Sequence, residues 1–179
     1  MDHLYEKTIS MTSIFKGNVI SLRTENVQLP NGEETVRELV HHPGAVAIIP
    51  VTEEGKIVVV RQFRKALEKT IIEIPAGKLE PGEQPEASAH RELEEETGYI
   101  AKEMTYMTTF YTSPGFADEL VHMYVAKNLD IGVVNRDDDE FMDVLTITLE
   151  EAKALIQSGD ICDAKTMYAV QYMELHINK

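Results

Sequence analysis

The chain lacks the features that mark secreted and membrane-spanning proteins. It contains one cysteine, Cys162, so an internal disulfide cannot form. The first ten residues do not include the long apolar run of a signal peptide, and no segment approaches the roughly 18 apolar residues of a membrane span. We therefore expect a cytoplasmic protein.

Positive charge is also scarce. Lysine and arginine together number 17 against 31 aspartates and glutamates, which gives a formal net charge of −14 at pH 7. Such a charge disfavours non-specific binding to nucleic acid and to anionic membrane surfaces, so we predict neither partner. It also opposes the binding of anionic small molecules unless a cation lies between them and the protein.

The length and composition fit one globular domain with a small appendage. The 179 residues are 43% hydrophobic and 27% charged, which is enough to bury a substantial core. Strand-like runs surround one internal helical segment, and two helical segments follow near the C-terminus. Because strands and helices do not alternate regularly, we predict an α+β domain rather than a doubly wound sheet. We expect residues 1–42 to form a small separate sheet and residues 43–179 to form the main domain.

Local signals predict the ends of the helices and one hairpin. Pro85 suits the first position of the internal helix, and Gly98 suits its C-terminal cap. Thr148 opens a capping box before the second helix, and Asp163 is predicted to cap the last one. An Asn-Gly pair at positions 31–32 favours a hairpin between two N-terminal strands.

An acidic cluster lies close to the end of the internal helix, in the stretch HRELEEETGY. Negative charge is unfavourable near a helix C-terminus. Glu92, Glu95 and Glu96 are three and four residues apart, so they share one face of the helix. A divalent cation that prefers oxygen ligands, such as Mg²⁺ or Mn²⁺, would remove the repulsion between them. A solvated acidic surface is the alternative for such a run.

The residues around the cluster favour the metal site. The stretch GKLEPGEQPEASAHRELEEETGY resembles the Nudix box, the signature of hydrolases that act on a nucleoside diphosphate linked to another moiety. The matching positions are Gly77, Glu83, Arg91, Glu92, Leu93, Glu95, Glu96, Gly98 and Tyr99. Arg91 can pair with nearby glutamates and hold them in position, and we favour this role over direct contact with a substrate.

A second motif narrows the resemblance to one branch of the Nudix family. SPGFADE, residues 113–119, places a proline 16 residues beyond Gly98 and is similar to the marker of the ADP-ribose pyrophosphatase branch. Nearly the whole chain resembles this branch, especially its Bacillus-type bacterial members. The resemblance implies a Nudix fold, in which mixed β-sheets are sandwiched between helices, with a small N-terminal antiparallel sheet.

The resemblance also implies a set of metal and catalytic residues. Mg²⁺, with Mn²⁺ as a possible substitute, would bind to the Ala76 carbonyl oxygen and to Glu92, Glu95 and Glu96. Glu95 and Arg91 would belong to the catalytic group. A glutamate in the loop NRDDDEFMDV would accept the proton of the attacking water, and Glu140 fits that place best, although Asp137, Asp138 and Asp139 leave the register open.

The substrate contacts are implied in the same way. Arg64 would bind the phosphates, and Ser113 and Glu119 would lie at the terminal ribose. Arg37 and Glu38 would face the nucleoside end of the substrate and the dimer partner. Lys78 is the remaining predicted contact. Members of this branch form homodimers in which the N-terminal sheet crosses to the partner, and we expect the same arrangement; no residue is assigned to stack on the adenine.

Three functions are consistent with the sequence. The first is Mg²⁺-dependent hydrolysis of the pyrophosphate of ADP-ribose, which gives AMP and ribose 5-phosphate. The second is hydrolysis of another nucleoside diphosphate sugar, such as a GDP-hexose. The third is a module that binds ADP-ribose without cleaving it; such a sensor would be expected to lose a glutamate of the box, and this sequence retains Glu92, Glu95 and Glu96.

Overall fold

The computed structural model describes residues 3–132 and 141–176. Within these ranges the chain forms ten strands, three α-helices and one 3-10 turn. None of the described helices is long and apolar enough to cross a membrane. The strands are β1 (Lys7–Lys16), β2 (Ser21–Gln28), β3 (Glu34–His41), β4 (Ala45–Pro50), β5 (Ile57–Arg64), β6 (Lys69–Glu73), β7 (Ala76–Lys78), β8 (Tyr99–Tyr111), β9 (Leu120–Ile131) and β10 (Met142–Ile147). The helices are α1 (Pro85–Thr97), α2 (Leu149–Ser158) and α3 (Ala164–His176), and the 3-10 turn is Lys65–Leu67.

The chain divides into two compact units. The first comprises Met1–Gly44 and Phe110–Val121, and the second comprises Ala45–Thr109 and His122–Lys179. The loop between β8 and β9 therefore belongs to the first unit, whereas the sequence analysis placed it in the main domain. The α+β class predicted from the sequence is confirmed, because three sheets and three α-helices occur without regular alternation in the described part of the chain.

The first unit contains a three-stranded antiparallel sheet in the order β1-β2-β3. The hairpin predicted at residues 31–32 connects β2 to β3, and Gly32 adopts a φ of 91° that only glycine takes readily. Strand β1 was not predicted. It pairs with β2 along its length, yet all ten of its residues are exposed, so burial does not account for this strand.

The second unit contains a three-stranded sheet in the order β10-β5-β6 and a four-stranded sheet in the order β7-β4-β9-β8. The β-branched runs of β4 and β5 supply much of its core, because Ile48, Ile49 and Val58 are fully buried. Helix α1 packs on β4 and β7 through Leu93 and Ala89, which are both fully buried. Glu92 and Glu96 are buried on the same helix beside Leu93.

The helices begin and end where the local signals predict. Helix α1 has Pro85 in its first turn and ends at Gly98, whose N–H donates to the Glu94 carbonyl oxygen. The Thr148 hydroxyl accepts from the Glu151 N–H, and the Glu151 carboxylate accepts from the Thr148 N–H, which completes the capping box of α2. Asp163 caps α3, because its Oδ1 accepts from the Thr166 N–H at 3.1 Å.

The capping box predicts a measurable contribution to stability. Thr148→Ala is expected to lower the free energy of unfolding by about 1 kcal/mol, because the Glu151 N–H in the first turn of α2 loses its side-chain acceptor. Urea unfolding measures the change. Gln157→Ala, at an exposed position of the same helix, is the control and should change the stability little, since both residues are good helix formers.

Candidate active site

The glutamates of α1 are buried to an extent that is unusual for charged residues. Glu92 is 8% exposed and Glu96 is 3% exposed, whereas the side chain of Glu95 remains one-third exposed. Glutamate is rarely buried to this degree unless it is paired. The acidic run is therefore not a solvated helix face, because two of its three members point into the protein.

Arg91 is hydrogen-bonded to three of the surrounding carboxylates. Its Nε and Nη2 donate to the two oxygens of Glu83, each at 2.9 Å. Its Nη1 donates to Glu92 Oε1 at 2.8 Å and to Glu95 Oε2 at 2.9 Å. The Arg91 guanidinium thus fixes the side chains of Glu92 and Glu95 relative to Glu83. The role favoured from the sequence was this one, in which Arg91 pairs with nearby glutamates and holds them in position.

These contacts change the proton affinities of both partners. The hydrogen bonds from Arg91 lower the pKa of Glu83 from 4.5 to about 2. The same pairing with Glu83, together with the negative charge of Glu92 and Glu95, raises the pKa of Arg91. Glu83 matched the box pattern, but the sequence analysis did not place it among the site residues.

The pKa of Glu83 provides a stability test with a defined sign. Because the pKa is lower in the folded state, the ionised carboxylate stabilises the protein above pH 4.5, and this contribution is lost as the pH falls towards 2. Glu83→Gln is expected to reduce the free energy of unfolding by about 2 kcal/mol at neutral pH and by much less at about pH 2.5. Urea unfolding at several pH values measures this difference. A difference that does not vary with pH would show that the lost contact is not an ionic one.

The short strand β7 lies directly against these carboxylates. Its Ala76 N–H donates to Glu96 Oε2 at 3.1 Å. A Cβ atom added to Gly77 would lie 1.8–2.1 Å from the carboxyl atoms of Glu92, which no side chain could tolerate. Glycine at position 77 therefore allows the Glu92 carboxylate to rest on the backbone of β7.

The glutamates of α1 have the ligand type and the spacing that an oxygen-ligated divalent cation requires. Glu92, Glu95 and Glu96 offer only oxygen donors, and the space above Gly77 is occupied by a carboxylate rather than by an apolar group. Across residues 3–132 and 141–176, however, no three His, Cys, Asp or Glu side chains form a ready-made metal cluster. Arg91 engages one oxygen each of Glu92 and Glu95, so its positive charge offsets part of the negative charge of this face.

Arg64 and Lys78, two of the predicted substrate contacts, lie in the same unit. Arg64 is the last residue of β5, and its Nε donates to Glu73 Oε2 at 2.6 Å. Lys78 ends β7, and its carbonyl oxygen accepts a long hydrogen bond of 3.4 Å from Arg91. Glu73 was missed by the sequence analysis, although an acid between Ile72 and Ile74 in an apolar strand was a usable signal.

The other predicted substrate contacts lie in the first unit. Arg37 forms a two-pronged ion pair with Glu6, at 2.9 and 2.6 Å, and Glu38 lies opposite Thr24 in the sheet. The Glu119 carboxylate accepts from the Thr112 hydroxyl at 2.6 Å, and the Ser113 carbonyl oxygen accepts from the backbone of the turn that follows it. Glu140, the predicted proton acceptor, lies outside the described residues and stays a prediction.

Comparisons with known proteins agree with the geometry of α1 and β7. Residues 41–169 match the NUDIX domain family. The chain is 58% identical over 177 residues to the ADP-ribose pyrophosphatase of Bacillus subtilis (strain 168), a match that covers 98% of this chain and 96% of that protein. It is 54% identical over 172 residues to the methanol dehydrogenase activator of Bacillus methanolicus, with 95% and 93% covered.

The fold has a counterpart among solved structures. The crystal structure of an ADP compounds hydrolase superposes with a TM-score of 0.85 and covers 96% of this chain and 94% of its own. The two sequences are 20% identical, so this likeness concerns the fold. Together with the family match, it confirms the Nudix fold predicted from the sequence. Nudix hydrolases generally use divalent metal ions. The family match, the two near full-length relatives and the glutamate face of α1 together show that this chain belongs to the Nudix hydrolase family.

Proposed function

We propose that the protein hydrolyses the pyrophosphate of ADP-ribose to AMP and ribose 5-phosphate in a Mg²⁺-dependent reaction. The observation that carries this proposal is the burial of Glu92 and Glu96 against β7, with Gly77 leaving room for a carboxylate. A buried acidic face of this kind serves no apolar packing. The identity to a relative named ADP-ribose pyrophosphatase supports the choice of substrate.

The divalent ion would supply positive charge to the phosphate oxygens and make a bound water more acidic. Glu92, Glu95 and Glu96 would hold it, together with the backbone at Ala76. Arg91 and the Ala76 N–H keep the three carboxylates in one orientation, so little reorganisation is needed when the substrate binds. Because phosphoryl transfer depends mostly on position and charge, this rigidity is what the chain itself contributes.

The positive side chains would bind the phosphates of the substrate. The side chain of Arg64 is 40% exposed, and its Nε is bonded to Glu73. This exposure leaves the guanidinium accessible to a pyrophosphate. In this proposal Lys78 adds a second cation, Ser113 and Glu119 recognise the terminal ribose, and Arg37 and Glu38 recognise the nucleoside end.

A product assay tests this function. Purified protein is incubated with ADP-ribose or GDP-mannose, with Mg²⁺ or with a chelator, and the products are separated by chromatography. We expect AMP and ribose 5-phosphate from ADP-ribose only when Mg²⁺ is present, with slower cleavage of GDP-mannose. Faster cleavage of GDP-mannose would move the assignment to the GDP-hexose alternative, and binding of ADP-ribose without any product would move it to the sensor.

We also propose that the protein forms a homodimer through the N-terminal sheet. Strand β1 lies at an edge of its sheet, with exposed backbone and exposed apolar side chains, which makes it a template for pairing with another chain. The exposed apolar residues of the N-terminal sheet region are Leu4, Tyr5, Ile9, Met11, Ile14, Phe15, Val19, Ile20 and Val36. A monomer rarely leaves so many apolar side chains exposed together in one region.

The dimer predicts a specific effect of charge in β1. Met11→Lys is expected to shift the protein from dimer to monomer in light scattering, because Met11 is 66% exposed in the apolar edge strand. Ile131→Lys, at an 89% exposed apolar residue of β9, is the matched control and should leave the mass unchanged. Deletion of residues 1–42 should abolish both the dimer and most of the activity. A monomeric wild type with full turnover would refute the proposal.

A further inference from the structure

Four charged side chains, beginning with Arg64, form a continuous line of ion pairs. The Arg64 Nε donates to Glu73 Oε2 at 2.6 Å, and Lys165 Nζ donates to the other oxygen, Glu73 Oε1, at 2.5 Å. Lys165 also donates to Asp163 Oδ1 at 2.9 Å. Positive and negative charges therefore alternate from Arg64 through Glu73 and Lys165 to Asp163, and we call these four residues the α3 charge chain.

Burial makes the α3 charge chain different from an ordinary surface ion pair. Glu73 is 3% exposed, and the side chains of Lys165 and Asp163 are 17% and 19% exposed. Only the Arg64 end, at 40%, opens widely to solvent. Buried charges must be paired, and removal of one partner leaves the other uncompensated in a place with little water. The three inner members therefore constrain one another strongly, while the fourth remains accessible.

The sheet register shows what this constraint does to Arg64. Glu73 lies opposite Val60 and Lys69 lies opposite Arg64, so Glu73 and Arg64 share one face of the sheet at positions four residues apart along the strands. To reach Glu73, the Arg64 side chain must lie back along the sheet instead of extending into solvent. Among residues 3–132 and 141–176, Nε is the one Arg64 side-chain nitrogen with a hydrogen bond. The two Nη groups are consequently held in a fixed direction, and no residue in the described part of the chain accepts a hydrogen bond from them.

The beginning of α3 is attached to β6 beside this line. The Ile72 N–H donates to the Asp160 carbonyl oxygen at 2.8 Å, and the Ile74 N–H donates to the buried Thr166 hydroxyl at 3.0 Å. Residues 160–166 thus run along residues 72–74, which lead directly to Ala76. Glu73 and Ala76 are three residues apart, so their Cα atoms are at most about 11 Å apart. Glu73 of the α3 charge chain therefore lies close to Ala76, whose N–H donates to Glu96.

From this geometry we infer that Glu73 and Lys165 are positioning residues that orient Arg64 towards the substrate phosphates. The inference rests on the proposed function, because it requires Arg64 to bind the pyrophosphate. Glu73 holds the Arg64 guanidinium by Nε and leaves the Nη fork open. Lys165 neutralises the second oxygen of Glu73, so this oxygen does not need a second hydrogen bond from Arg64. Asp163 fixes Lys165 and caps α3 with the same oxygen.

A purely structural role for these residues makes a different prediction. If Lys165 only attaches α3 to β6, its loss should reduce the melting temperature and the activity together, whatever residue occupies position 64. Thr166→Val provides the comparison, because it removes the neighbouring hydrogen bond to Ile74 and leaves the charges untouched. If Lys165 acts through Arg64, its loss should matter only while Arg64 is present.

A double-mutant cycle separates the two roles. Steady-state kinetics with ADP-ribose and Mg²⁺ are measured for the wild type, Lys165→Met, Arg64→Ala and the double variant. We expect Lys165→Met to lower kcat/KM by about 10- to 100-fold, chiefly through KM, because phosphate charge is bound in both the ground state and the transition state. In the Arg64→Ala background the same change should cost less than about threefold, since the group that Lys165 positions is absent.

Three controls complete the experiment. Lys165→Arg should restore much of the activity, because it retains the charge opposite Glu73. Lys69→Met removes a different lysine, which lies in β6, donates to the Gly159 carbonyl oxygen and has no part in the α3 charge chain, and it should leave kcat/KM unchanged. Thr166→Val should lower the melting temperature at least as much as Lys165→Met does and affect KM far less. The Mg²⁺ concentration for half-maximal activity should stay the same in all variants.

Each outcome decides the inference. Equal losses from Lys165→Met in the two backgrounds, or parallel changes in melting temperature and kcat/KM for Lys165→Met and Thr166→Val, would overturn it. If the wild type cleaves neither ADP-ribose nor GDP-mannose, the proposed function fails, and this result is distinct. In that case the Kd for ADP is measured by calorimetry for the same four proteins. Coupling between positions 64 and 165 would support the positioning role there, and its absence would refute it.

Discussion

Glu96→Gln is expected to lower kcat by at least about 100-fold and to leave the fold intact. Mutation of a residue that only contacts a metal ligand commonly lowers activity or metal affinity by about 10- to 100-fold, and Glu96 is itself a predicted ligand. Glutamine keeps the shape of Glu96 and can still accept the hydrogen bond from the Ala76 N–H. It removes the negative charge that a divalent cation requires. The loss should therefore appear in turnover rather than in stability.

The measurement needs a control on the same helix. Glu94 carries the same charge on α1 but does not share the face formed by Glu92, Glu95 and Glu96, so Glu94→Gln should retain nearly full kcat. A second readout is thermal. Mg²⁺ should raise the melting temperature of the wild type more than that of the Glu92→Gln/Glu96→Gln variant, because a ligand stabilises only the state that binds it. Wild-type turnover of Glu96→Gln in saturating Mg²⁺ would refute the assignment.

Gly77→Ala is expected to abolish most of the activity although it adds a single methyl group. The new Cβ would lie about 2 Å from the Glu92 carboxyl group, so the carboxylate or the backbone of β7 must move. A displacement of about 1 Å in a catalytic group can cost about 100-fold in rate. The added strain should also lower the free energy of unfolding by about 1–3 kcal/mol.

Gly82→Ala separates this steric effect from a backbone effect. Gly82 has a φ of 82°, so alanine is strained there, but its Cβ would meet nothing within 4 Å. We expect this control to cost about 1 kcal/mol of stability and to leave kcat and the Mg²⁺ dependence close to those of the wild type. The two glycines belong to the same short region of sequence, and only position 77 should control the metal-dependent activity. Similar kinetics for the two variants would contradict the close-approach argument.

Features encoded by neighbouring residues were predictable from the sequence. Pro85 and Gly98 define the ends of α1, and the spacing of Glu92, Glu95 and Glu96 places their side chains on one face, as the structure shows. Both depend on helical periodicity, which acts over three or four residues. The capping box at Thr148 is equally local, and it too was predicted correctly.

Features that depend on distant residues were not predictable in the same way. The Glu73–Lys165 contact joins residues 92 positions apart, and no local pattern indicates such a pair. Strand β1 was missed because its pairing with β2 buries none of its own residues. The pairing of Arg91 with Glu83 lies between these cases, because it crosses eight residues of a loop and a helix turn within one motif.

The attachment of α3 to β6 also has a consequence for the order in which the protein folds. The hairpin of β5 and β6 involves neighbouring residues and can form early, whereas the Thr166–Ile74 hydrogen bond must close a loop of 92 residues. Contacts of high sequence separation form slowly, because chain entropy is lost before they contribute any stability. During synthesis, residues 72–74 therefore cannot make these contacts until α3 has left the ribosome. A chain that stops before residue 160 could not complete the contacts that hold Glu73 behind Arg64.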